Sequence, residues 1–206
     1  GPTIAPEAAG RTAPMARPGR ATTVATRATR PADPRRPCSL PRVAVTTPTR
    51  SLHVPVVHFS SWFPVIIQDL DRALFSVRGA PALILDLRGN PGGVVGMIGG
   101  VAGHFTDTVV SLGTMYGRGS TLRLRTNPRV VDNAGQRTTI ISAPVAILVD
   151  EFSASSTEFF AAGMQGLGRA RIFGSPSAGQ SLPAAMLLLP SGDVLMHVIA
   201  DHVDPK

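Results

Sequence analysis

Residues 83–93 read LILDLRGNPGG, and residues 145–158 read VAILVDEFSASSTE. Each opens with a continuous apolar run of strand length, meets turn-forming or small residues, and leads towards a helical pattern. In an α/β sheet such junctions lie at the carboxyl ends of the strands, where backbone N–H groups and a helix N-terminus converge. A junction of that kind can hold developing negative charge. Gly92 and Gly93 stand at the first junction and Ser155 at the second.

The rest of the chain fits around these two units. Residues 53–62 (HVPVVHFSSW) read as a strand, with Pro55 placing it at an edge or a strand start. Residues 65–77 carry apolar positions at helical spacing, and residues 94–105 read as a helix with a small face of Gly96, Gly99, Gly100 and Gly103. Residues 108–117 form the next strand, 118–142 a polar hairpin-like excursion turning at 133–135, 155–167 a helix and 170–173 a short strand. Residues 186–189 and 194–200 close the chain as a hairpin around the turn at 190–193. Alternating strands and helices imply crossovers and a mainly parallel sheet, so the fold class is α/β. The uninterrupted apolar strands suggest cover on both faces.

A length of 206 residues suits one domain, and 43% apolar residues support a real core. The net charge of +7 is confined to one end. Residues 1–50 hold nine arginines against Glu7 and Asp33, whereas residues 51–206 balance eleven basic against eleven acidic residues. The chain therefore divides into a Pro/Arg-rich segment, 1–50, and a neutral core, 51–206. Within the segment, residues 16–30 read as a hairpin and 31–41 as a polyproline-type linker. A basic tail without a structured motif does not indicate a nucleic-acid partner. Cys38 is the only cysteine, which excludes an intrachain disulfide and a cysteine metal cluster. No apolar run reaches membrane-spanning length, and the histidines lack metal-ligand spacing on a common helix. Neither a metal nor a cofactor is called for.

Each junction has two readings. Gly92-Gly93 makes a tight strand-to-helix turn with or without a ligand against its backbone. Asp86, Arg88 and Asn90 then brace that turn by hydrogen bonding. Ser155-Ser156-Thr157-Glu158 is S-x-x-E, a capping box at a helix start. The same Ser155 is also placed for nucleophilic attack, with the N–H groups of Gly93 and Ser156 as an oxyanion hole.

These segments, in this order, resemble those of the tail-specific, or C-terminal processing, serine peptidases. LILDLRGNPGG is similar to that family's strand and Gly-Gly turn. VDEFSASSTEFFAAGMQGLGRARIFGSPSAG is similar to its nucleophile segment, and the similarity runs from about residue 53 to residue 205. The resemblance implies a ClpP/crotonase-like superhelix. It assigns Ser155 as nucleophile and Gly93 and Ser156 as oxyanion-hole donors. Departures are specific. The position of the family's general-base lysine holds Gln180, an amide that does not titrate. Gly166 and Ala184 replace an aspartate and a glutamine of the same branch. The chain thus looks closer to the lysine-lacking, tricorn-core type, whose histidine and glutamate would lie outside residues 1–206. The start is then read as the remnant of a PDZ domain plus linker. His197 and His58 are the in-chain candidates for a base.

The resemblance implies a serine endopeptidase acting on extended or partly unfolded polypeptides bound by strand addition, in an extracytoplasmic compartment. Without its base the fragment itself would be inactive. The second reading is a pseudo-peptidase, a peptide- or lipid-binding module that keeps the fold without the chemistry. The third is a crotonase-type acyl-CoA enzyme, which lacks an evident glutamate pair at the two turns. The sequence leaves oligomeric state open.

Overall fold

The computed structural model describes residues 42–46, 54–132 and 134–203. The hairpin read at 16–30 and the linker read at 31–41 lie outside these residues. In chain order the elements are β1 (Val43–Thr46), β2 (Val56–Phe59), α1 (Ile67–Ser76), β3 (Leu83–Asp86), α2 (Met97–Ala102), β4 (Ser111–Gly117) and β5 (Ser120–Arg125). Next come β6 (Val145–Val149), α3 (Ser156–Gly166), β7 (Ala170–Gly174), β8 (Ala184–Leu188), β9 (Val194–Val198) and β10 (Ala200–Val203).

The main sheet has the order β1-β2-β3-β6-β7. The strands β2, β3, β6 and β7 run parallel, and only β1 is antiparallel, pairing Val43 with Phe59 and Thr46 with Val56. The α/β architecture with a mainly parallel sheet is thus present. Its first strand comes from before residue 51, inside the Pro/Arg-rich segment, where VAVT is short and flanked by prolines. Both β3 and β6 end where the chain turns into a site loop.

Burial along these strands alternates. Leu83, Leu85, Val145, Ile147 and Val149 are buried, whereas Ile84, Asp86, Ala146 and Leu148 are half-buried. One face is fully packed and the other only partly covered, rather than both being equally buried. An apolar run permits cover on both faces but does not specify how complete it is. The packed face meets α1 through Leu70, Ala73 and Leu74, and α3 through Phe159, Phe160 and Met164. Trp62 sits at its centre, fully buried, edge-on to Phe59 at 5.0 Å and tilted against Phe160 at 5.2 Å.

The glycine-rich face of α2 has a packing reason. A Cβ on Gly99 would lie 2.4 Å from the Arg125 carbonyl oxygen, and one on Gly103 only 1.6 Å from that of Asn127. Only glycine lets the chain after β5 run against this helix, whose regular part is shorter than the 94–105 read from sequence. The 118–142 excursion is also reorganised. Its first part is β5, hairpinned onto β4 through residues 118–119, and β10 joins the other edge of β4. The later turn survives as a Val131–Arg137 bridge, with the Asp132 carboxylate accepting from the Ala134 and Gln136 N–H groups. A buried polar cluster ties this excursion to the helices. Asp71 accepts from Arg129 and lies 2.8 Å from His104 Nε2, while Arg78 reaches His104 Nδ1 and the carbonyls of Arg129 and Thr139.

The closing hairpin, β8 with β9, forms around the turn read at 190–193, in which Leu189 donates to Asp193 and Gly192 to Leu189. The strand read as 194–200 is interrupted at Ile199, whose N–H donates to the Pro183 carbonyl as the last bond beside β8. The chain then enters the second sheet as β10.

Candidate active site

The two junctions are stitched together before either reaches its helix. At the end of β6, the Asp150 carboxylate accepts from the N–H groups of Gly89 at 2.9 Å and Phe152 at 3.1 Å. Ser153, fully buried, donates its hydroxyl to the Leu87 carbonyl at 2.8 Å. Ala154 N–H donates to the Asn90 carbonyl at 3.1 Å. These bonds fix the loop after β3 against the loop after β6.

Ser155 follows with φ 54° and ψ −119°, the only non-glycine residue at positive φ among the described residues. Such a conformation costs on the order of 1–3 kcal/mol and persists only when its surroundings over-determine it. The capping box read from sequence is present and supplies part of that restraint. Glu158 Oε2 accepts from the Ser155 N–H at 2.9 Å, and the N–H groups of Glu158 and Phe159 donate to the Ser155 carbonyl at 2.8 and 3.0 Å. The geometry is that of a sharp strand-to-helix elbow, which pushes a serine side chain out of the fold.

The glycine turn lies directly against this elbow. Gly92 has φ 95°, and a Cβ there would stand 2.8 Å from Ser155 Cβ and from the Ala154 oxygen, and 3.0 Å from Ser156 N. Gly93, at φ 145°, pairs with Trp62 as a parallel bridge in which Trp62 N–H donates to Gly92 O and Val94 N–H to Trp62 O. The Ser156 hydroxyl donates to the Gly93 carbonyl at 2.9 Å. Among the hydrogen bonds of the described residues, the N–H groups of Gly93 and Ser156 have no protein acceptor. Ser156 follows Ser155 in the chain, and Gly93 follows Gly92, whose Cβ position lies against Ser155.

Asn90 braces the turn, as its position suggested. Fully buried, it donates to the Phe59 carbonyl at 2.9 Å and accepts from Gly92 N–H at 3.0 Å. Asp86 and Arg88 make a two-pronged ion pair at 2.8 and 2.7 Å. Burial pushes the Asp86 carboxyl up, but the bonds from Arg88 outweigh it and leave the group below its ordinary range.

The other predicted residues are spread more widely. Gln180 is exposed and adjoins Gly179, whose N–H reaches Glu158 Oε1 at 2.8 Å. His197 is exposed on β9 beside Ala185, and His58 lies on β2 with Nδ1 2.9 Å from the Asp86 carbonyl oxygen. No titratable side chain among the described residues is hydrogen-bonded to the Ser155 hydroxyl. No group of three His, Cys, Asp or Glu residues is clustered for a metal ion among the described residues, and no described helix is long and apolar enough to cross a membrane.

Two contributors were not legible from sequence. Trp62 donates from Nε1 to Thr157 Oγ1 at 2.9 Å, and Thr157 in turn donates to the Asn90 carbonyl at 3.0 Å. Glu158 was visible only as half of a capping box, yet its second oxygen takes the loop at 177–179. Both links span distant segments, and no local pattern encodes them.

The sequence model of Peptidase family S41 matches residues 53–206. A carboxyl-terminal-processing protease of Picosynechococcus sp. (strain ATCC 27264 / PCC 7002 / PR-6) is 29% identical over 140 residues, covering 68% of this chain and 31% of the relative. The photosystem II D1 C-terminal processing protease superposes with a TM-score of 0.61 at 20% identity, over 74% of this chain and 38% of that one. A lipoprotein from Streptococcus agalactiae gives 0.55 at 20% identity, over 81% and 59%. The chain thus spans less than two thirds of the length of each of these relatives. The family match extends over most of the residues that build the two junctions and the sheet between them, and the chain belongs to peptidase family S41.

Proposed function

We propose that this chain is the core of a serine endopeptidase that hydrolyses extended or partly unfolded polypeptides, with Ser155 as nucleophile and the N–H groups of Gly93 and Ser156 as the oxyanion hole. The observation that carries this reading is the contact between the Gly92-Gly93 turn and the strained Ser155 elbow, with two N–H groups free of protein acceptors beside it. Attack of the hydroxyl on a peptide carbonyl puts negative charge on the carbonyl oxygen. Two preorganised donors there contribute about 3 kcal/mol each in typical cases. The start of α3 adds its dipole in the same sense. Exposed Phe63, Val94 and Phe152, each adjoining or close in sequence to the site backbone, favour an apolar polypeptide as partner.

The hydroxyl proton must pass to a base. Gln180 cannot accept it, so its amide is assigned to orienting substrate. His58 and His197 are the candidates within the chain, and replacing each by alanine tests them.

The decisive experiment compares the full-length protein with its Ser155→Ala variant on an unfolded polypeptide. Cleavage by the first and none by the second supports the reading, and equal cleavage removes Ser155 from it. Gln180 also favours a second reading, a binding module on the same fold. Native mass spectrometry showing a co-purified peptide or lipid, with no turnover, would select it.

A further inference from the structure

We propose that Glu158 is a positioning residue that couples the Ser155 elbow to the loop at 177–181, so that the reactivity of the serine depends on that loop being docked. The inference rests on the peptidase reading for its kinetic consequence but not for its structural one. Glu158 is 2% exposed, at the third position of α3. Its two oxygens face different ways. Oε2 accepts the Ser155 N–H at 2.9 Å, while Oε1 accepts the Ser177 hydroxyl at 2.6 Å and the Gly179 N–H at 2.8 Å. A side chain that merely capped the helix would need only the first bond. The other two fasten the loop that carries Gln180, and Ala178 N–H to Ser153 O at 3.0 Å docks the same loop beside the nucleophile.

The chemistry favours a carboxylate at this point. Three donors converge on it, so an acceptor-only group meets all of them. Taking a carboxylate out of water is costly unless it is well bonded, and the helix N-terminus and these donors provide that compensation. The carboxylate holds the Ser155 N–H in place while φ is 54°. If the loop leaves, Oε1 loses both its partners, and the buried charge must reorganise or draw in water. Either change loosens the restraint on the elbow. Loop docking and nucleophile geometry thereby share one side chain.

The test uses Glu158→Gln and Ser177→Ala in the full-length protein. Glutamine keeps one acceptor for Ser155 but turns an NH2 group towards the loop donors. Ser177→Ala removes the hydroxyl that donates to Oε1 and leaves the Ser155 N–H bond to Oε2 in place. The expected result is a loss of about 10- to 100-fold in kcat in Glu158→Gln, the factor given by a lost hydrogen bond to a charged group, with KM little changed. Fluorophosphonate labelling at Ser155 falls in parallel, and Ser177→Ala shows a smaller loss of the same kind. Hydrogen exchange of the Gly179 amide, followed in proteins that also carry Ser155→Ala, accelerates at least tenfold in Glu158→Gln. A helix cap alone would lower the melting temperature and leave kcat of the folded fraction and the labelling rate untouched, and that outcome overturns the proposal. Unchanged Gly179 exchange overturns it as well. If Ser155→Ala is as active as the parent protein, the peptidase reading fails, and the exchange measurement still decides the coupling.

Discussion

Replacing Gly92 by alanine puts a methyl group where the two turns touch. Two costs follow, and they can be separated. The backbone at φ 95° is strained for any L side chain, at roughly 1–3 kcal/mol. The methyl would also stand 2.8 Å from Ser155 Cβ and the Ala154 oxygen and 3.0 Å from Ser156 N. These atoms are backbone or fixed directly to it, so relief requires the elbow itself to move, at about 1–3 kcal/mol. The total is roughly 2–6 kcal/mol, a large part of the ~5–15 kcal/mol stability of a typical domain. Gly89→Ala is the control. Its φ is 72°, but nothing lies within 4 Å of its Cβ position, so it carries only the conformational cost of about 1–2 kcal/mol. Urea unfolding of both variants measures the difference. Turnover of the fraction that stays folded measures the second consequence, because a displacement of about 1 Å at the reacting groups costs on the order of 100-fold. Gly92→Ala matching Gly89→Ala in both stability and turnover would refute the claim that the two turns form one site.

Other perturbations test the supports. Asn90→Ala removes two bonds to buried backbone groups, Phe59 O and Gly92 N, and leaving these unpaired is expected to cost roughly 2–5 kcal/mol in urea unfolding. Trp62→Phe keeps most of the packing but removes the indole bond to Thr157, so a smaller loss of about 1–2 kcal/mol is expected in the same assay. His104 supplies a pH dependence. Burial pushes its pKa below the ordinary value, the hydrogen bond and charge of Asp71 oppose that, and Arg78 and Arg129 add to the lowering. Below pH ~6.5 the unfolded chain takes up a proton that the folded chain does not. The stability from this residue is present above that pH and is lost as pH falls further, and unfolding at pH 8 and pH 5 should show a weaker decline in His104→Gln than in the parent.

The two junctions were legible because their chemistry is local. A strand that ends in two glycines, and another that ends in a serine followed by a capping glutamate, announce their turns within a few residues. The helices at 65–77 and 155–167 followed from periodicity, although the structure begins the first with a 3₁₀ turn at Pro64–Ile66. β1 was not legible, since four residues of VAVT among prolines and arginines gain their strand conformation only by pairing with β2. The split between β9 and β10 escaped for a related reason, because around Ile199 the chain changes partner from β8 to β4. The polar framework was the least visible part. Trp62, Asn90 and Thr157 make one chain of buried bonds across three segments, and Asp71, His104, Arg78 and Arg129 make another. Such contacts depend on sheet order, which hydropathy does not encode.

The central claim is that the Ser155 hydroxyl and the N–H groups of Gly93 and Ser156 address one reacting carbonyl. A crystal structure of the full-length protein carrying a fluorophosphonate adduct tests it most directly. The account predicts phosphorus bonded to Ser155 Oγ and one phosphonyl oxygen about 2.7–3.1 Å from both nitrogens. An adduct whose oxygens all point away from those two nitrogens, or one formed on a different residue, would contradict it.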